Sequence, residues 1–77
     1  MMHTVDSAEM ITLTVNGAPR EVGRNSTVAV LLESLGINPQ LVIVEQNGRI
    51  LRERGAYGSL LLASDDIVEI VHFVGGG

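Results

Sequence analysis

An α+β fold, with one main helix packed on one face of a mixed five-stranded sheet, follows from three features of this sequence. Apolar runs of period two recur with turn residues between them. One stretch alone carries helical spacing. That stretch falls between the second and third strand-like runs. The patterned part, residues 10–74, reads as a single domain at a size where a hydrophobic core is only just sufficient.

The first strand is read from Ile11, Leu13 and Val15, which alternate with Thr12 and Thr14. Asn16-Gly17 supplies the positive φ values that a tight hairpin needs, so Arg20 to Gly23, around Val22, is the expected return strand. Asn25-Ser26-Thr27 offers side-chain oxygens to cap a helix. Val28, Leu31, Leu32 and Leu35 then fall at i, i+3, i+4 and i+7, an apolar stripe along two turns. Gly36 sits where a left-handed cap belongs, and Pro39 prevents continuation. So short a helix cannot stand alone, so its stripe must lie on a sheet.

Leu41 to Gln46 reads as the third strand. Asn47-Gly48 gives a second tight turn, and Arg49 to Glu53 is expected to return antiparallel. A loop with Gly55, Gly58 and Leu60-Leu61-Leu62 follows, and Ser64-Asp65-Asp66 is turn chemistry. Ile67 to Phe73 is the last strand. Residues 1–9 are polar and aperiodic and read as a flexible N-terminal extension, and 75–77 as a flexible glycine tail.

Composition excludes several functions. The chain has no cysteine, which removes disulfides, thiolate metal sites and cysteine-bound iron–sulfur clusters. Net charge is −4 and all five cations are arginines, a balance that disfavours nucleic acid and anionic membranes. Arg49, Arg52 and Arg54 read as a solvated strand end. No apolar run is long enough to span a bilayer and no secretory pattern opens the chain, so a cytoplasmic protein is expected. His3 and His72 are too few and too far apart to suggest a metal site. Asp65-Asp66 reads as a turn rather than a catalytic pair. No nucleophile–base pair or phosphate-binding glycine motif is present, so the chain is not expected to be an enzyme.

Strand alternation places Val42, Val44, Val68 and Ile70 toward the helix. Leu41, Ile43, Glu45, Ile67, Glu69, Val71 and Phe73 then share the opposite face. Ile43, Val71 and Phe73 are predicted to form an exposed apolar patch for partner docking, unless the leucines of the loop from Gly55 to Ala63 cover it.

The stretches MITLTVNG, TVAVLLESLG, VEQNGRI and DDIVEIVHFVGGG resemble the ThiS-type sulfur carriers of thiamine (thiazole) biosynthesis, a ubiquitin-like β-grasp family. The resemblance covers Met10 to Gly77, and Gly-Gly at the C-terminus is its specific element. Family members often have a Val-Pro-Arg-like segment where this chain has Ile50-Leu51-Arg52. They often have Asp-Gly-Asp where it has Ser64-Asp65-Asp66, and Trp near Tyr57. The resemblance implies that an ATP-dependent, E1-like activating enzyme adenylates the Gly77 carboxylate. Sulfur from a cysteine desulfurase or sulfide then gives a thiocarboxylate, and thiazole synthase takes the sulfur. The carrier binds no cofactor; ATP belongs to its partner.

The residues fit that chemistry. With no cysteine thiolate, a sulfur carrier of this sequence has its terminal carboxylate left to use. Gly75 and Gly76 have no side chains to obstruct a narrow channel and adopt whatever φ it imposes. Val74 to Gly77 fully extended reaches roughly 13–14 Å, enough to enter a cleft while the body stays outside. Two other readings stay open. One is the small subunit of molybdopterin synthase, with the same fold and Gly-Gly end. The other is a ubiquitin-like modifier or passive β-grasp interaction domain.

Overall fold

The frame of the sheet is set by the two Asn-Gly turns. Asn16 (φ 50°) and Gly17 (φ 84°), and again Asn47 (φ 54°) and Gly48 (φ 82°), are left-handed at both central positions. That geometry matches the twist of paired strands. The first turn joins β1 (Met10–Val15) to β2 (Ala18–Gly23), and the second joins β3 (Val42–Gln46) to β4 (Arg49–Ile50). The last strand, β5 (Ile67–His72), lies between the hairpins, parallel to β1 and antiparallel to β3. The sheet order is therefore β2-β1-β5-β3-β4. This computed structural model describes residues 9–73; His3 and the tail glycines Gly75, Gly76 and Gly77 lie outside them.

One helix, α1 (Val28–Ser34), connects the hairpins. Of the three residues able to cap it, Thr27 does so, its hydroxyl accepting from the Val30 N–H at 3.2 Å. Val28, Leu31 and Leu32 are buried in one core with Ile11, Leu13, Val22, Val42, Val44, Val68 and Ile70. Leu35 is only partly buried, and Gly36 (φ 71°) turns the chain out of the helix.

Strand β5 ends at His72, one residue before the expected Phe73, and four further details depart from the sequence reading. The strand β2 begins at Ala18, not Arg20, because a two-residue turn leaves Ala18 opposite Val15. Leu41 belongs to a short 3-10 turn, Pro39–Leu41, so β3 starts at Val42. Expected to run to Glu53, β4 is only two residues long. The Leu51 N–H still donates to the Val44 carbonyl, but the Leu51 carbonyl accepts from the Tyr57 hydroxyl, and the chain turns into a second 3-10 turn, Arg54–Ala56. The leucine loop, considered as a cover for the outer face, instead laces to the start of α1. The Leu60 carbonyl accepts from the Val28 N–H, Leu62 N–H donates to Ser26, and Leu62 enters the core.

Ser64-Asp65-Asp66 is a turn, with Asp65 at φ 69°. Its last residue does more. Asp66 is buried and its carboxylate accepts from Gln46 Nε2 (2.9 Å), Asn47 Nδ2 (2.9 Å) and Ala63 N–H (2.8 Å). Asn47 completes the junction by accepting from the Ile67 N–H at 2.8 Å. One carboxylate thus ties the second hairpin to the root of β5.

Candidate functional site

The strand β5 occupies the middle of the sheet and is held on both sides almost to its end. Toward β3 it pairs through His72, and the Phe73 N–H continues the ladder to the Leu41 carbonyl at 2.9 Å. Toward β1, whose pairing stops at Val15–Val68, the Asn16 side chain takes over. Its oxygen accepts from the Ile70 N–H (2.7 Å) and its amide donates to the Ile70 carbonyl (3.3 Å), the two bonds a strand residue would make. The chain therefore leaves the domain from an anchored strand.

The predicted patch residues come together. Ile43 and Val71 are direct cross-strand partners, and Phe73 follows on the same face by alternation. Their relative exposures are 39%, 59% and 49%. Ile50 belongs with them, since it stands opposite Glu45 and so projects from the same side. The sequence reading missed Ile50, although a two-residue Asn47-Gly48 turn fixes that register. Glu45 and Glu69, themselves opposed across β3 and β5, bound the patch with two like charges.

Beside the patch lies a cleft of about 260 Å³ lined by Ile43, Ile50, Leu51, Arg52, Arg54, Tyr57 and Phe73. Tyr57 is buried and fixed by its hydroxyl to Leu51. Arg54 is not the solvated strand-end residue expected from sequence. Its Nε donates to the Pro39 carbonyl (3.0 Å) and one terminal nitrogen donates to the Val42 carbonyl (3.1 Å). Its guanidinium carbon stands 5.4 Å from the centroid of the Phe73 ring, within cation–π range. No local sequence signal could reveal contacts made across twelve to nineteen positions.

Among the described residues, one group is clearly shifted. Burial pushes the Asp66 carboxyl up, but hydrogen bonds from Asn47, Ala63 and Gln46 outweigh it and hold the group below the ordinary carboxylate value. His72 is exposed at the end of β5. Among the described residues no cluster of three or more His, Asp or Glu could hold a metal ion, and no helix is long and apolar enough to cross a membrane. The arrangement offers an apolar surface around a fixed chain exit.

A mixed sheet with a parallel β1–β5 centre, two hairpins and one helix across it defines a β-grasp domain. A model of the ThiS family matches residues 13–77, and the chain belongs to that family. It is 46% identical over 52 residues to the sulfur carrier protein ThiS of Bacillus subtilis, covering 66% of this chain and 76% of that one. It is also 43% identical over 63 residues to a thiazole synthase of Magnetococcus marinus, covering 82% of this chain and 19% of the synthase. The chain spans about a fifth of the length of the thiazole synthases it matches. The crystal structure of the thiamine biosynthesis protein ThiS from Geobacter metallireducens superposes with a TM-score of 0.74 at 38% identity, covering 87% of this chain and 100% of that one.

Proposed function

We propose that this chain is a sulfur carrier of thiamine biosynthesis, a cosubstrate that is loaded on the Gly77 carboxylate and delivers sulfur to a thiazole synthase. The observation that carries the reading is the family match, which runs through Gly77 in a chain that has no cysteine. Proteins named thiazole synthase that match this chain over a fifth of their own length support the partnership.

A free carboxylate is a poor acyl donor, so loading takes two displacements. One Gly77 carboxylate oxygen attacks the α-phosphorus of ATP in an E1-like activating enzyme, and pyrophosphate leaves. Sulfide then attacks the acyl carbon and AMP leaves, giving the thiocarboxylate directly; where a cysteine desulfurase supplies the sulfur, its persulfide attacks, AMP leaves, and a thiol reductant cleaves the resulting acyl disulfide to the thiocarboxylate. Gly75 and Gly76 pass through the narrow approach to that site because they have no side chains and no φ restriction. Ile43, Val71 and Phe73 supply the docking surface, since exposed contiguous apolar side chains mark partner sites.

ATP–pyrophosphate exchange with the activating enzyme tests this. Wild-type chain supports exchange, the chain lacking Gly77 does not, and both melt at the same temperature. Val71→Asp raises KM at least tenfold (about 1.4 kcal/mol of binding). Exchange that survives loss of Gly77 would overturn Gly77 as the activated residue, and no exchange with the wild-type chain would leave a passive interaction domain as the better reading.

A further inference from the structure

Three separate contacts fix Arg54. Two backbone carbonyls, Pro39 and Val42, hold its guanidinium at 3.0 Å and 3.1 Å at the entry to β3, and the ring of Phe73 lies 5.4 Å from its Cζ. Phe73 is also the residue whose N–H makes the last ladder bond, to Leu41. The same short region, Pro39 to Val42, therefore receives both Arg54 and the backbone of Phe73. A half-exposed aromatic at the end of a strand has few other restraints.

We propose that Arg54 is a positioning residue that clamps the Phe73 ring and so fixes the direction in which the chain leaves the sheet. The proposal rests on the sulfur-carrier reading above for its consequence. Only four residues separate Phe73 from the Gly77 carboxylate, a reach of roughly 13–14 Å when extended. With so little slack, the angle at Phe73 decides whether a docked carrier presents its carboxylate to ATP. Reacting groups must meet closely and in line, and misplacement by an ångström lowers rate rather than binding. Arginine suits the task because its planar fork can donate to two carbonyls while its face stays over a ring. Lysine could supply charge but not that geometry.

The test uses the intact chain in two readouts. Amide hydrogen exchange at Phe73 should quicken about two- to fivefold in Arg54→Gln, and nearly as much in Arg54→Lys, the factor a surface cation–π contact carries. Exchange at Val44 and Val68 should not change. In adenylation by the activating enzyme, kcat should fall by a similar factor while KM holds. Phe73→Leu should produce the same kcat loss, and adding Arg54→Gln to it should cost nothing further. Unchanged Phe73 exchange overturns the clamp. A raised KM at constant kcat overturns it too, because Arg54 would then touch the partner itself. Failure of the wild-type chain to be adenylated refutes the carrier reading instead, and is distinguished by exchange data that still report the clamp.

Discussion

Replacing Asp66 by Asn tests how the second hairpin is joined to the final strand. The carboxylate takes three donors, from Gln46, Asn47 and Ala63. An Asn at this position keeps one oxygen. Set where Oδ2 now lies, that oxygen serves Gln46 and Ala63, but the new amide then faces Asn47 Nδ2, donor against donor. Asn47 cannot turn its oxygen inward, because that atom already accepts from the Ile67 N–H. One hydrogen bond to a charged group is lost and two are weakened. At about 1.5–3 kcal/mol for a hydrogen bond to a charged group, the cost is about 1.5–2.5 kcal/mol. A domain of this length then melts roughly 6–20 °C lower. The pH dependence has a definite sign. The folded-state pKa lies below the ordinary value, so the contribution of Asp66 is fully present above the unfolded value near ~3.9 and disappears as pH falls through the folded one. Thermal melts followed by circular dichroism should show the full gap between wild type and Asp66→Asn at neutral pH. The gap should narrow as pH falls below about 4 and through the lowered folded-state pKa. A neutral-pH difference under about 0.5 kcal/mol, or one that persists undiminished in acid, would refute the network.

Three further outcomes follow from the same structure. Asn16→Ala removes both bonds to Ile70 and places alanine at φ 50°, so urea unfolding should register a loss of about 1–3 kcal/mol. Leu31→Ala empties a fully buried position of the core and should cost about 2–5 kcal/mol, a large share of what so small a domain has, seen as a much lower urea midpoint. Glu69→Thr relieves the like-charge pairing with Glu45 and should stabilise by about 0.2–1 kcal/mol, a gain that shrinks when melting is repeated in high salt.

The legible parts of the fold were those fixed by local chemistry. Each Asn-Gly pair specifies its own left-handed turn, so both hairpins and their registers are written in a few residues. The spacing of Val28, Leu31 and Leu32 declares the buried side of α1 without reference to anything else. Alternation along β3 and β5 was enough to bring Ile43 and Val71 to one face. What escaped the sequence depends on distant partners. Strand β4 stops early because Tyr57 captures the Leu51 carbonyl. Asp66 has the composition of an ordinary turn, and only its contacts with Gln46 and Asn47, about twenty positions away, make it a junction. Arg54 reads as one more surface cation until Pro39, Val42 and Phe73 close around it.

The central claim is that sulfur rides on the carboxylate of Gly77, and intact-mass measurement of the chain tests it most directly. The chain is incubated with ATP, sulfide and the activating enzyme, then digested. A mass gain equal to one sulfur replacing one oxygen, confined to the C-terminal peptide and lost on transfer to thiazole synthase, is the predicted result. An unchanged C-terminal peptide, from an activating enzyme shown to load another carrier in the same mixture, would contradict it.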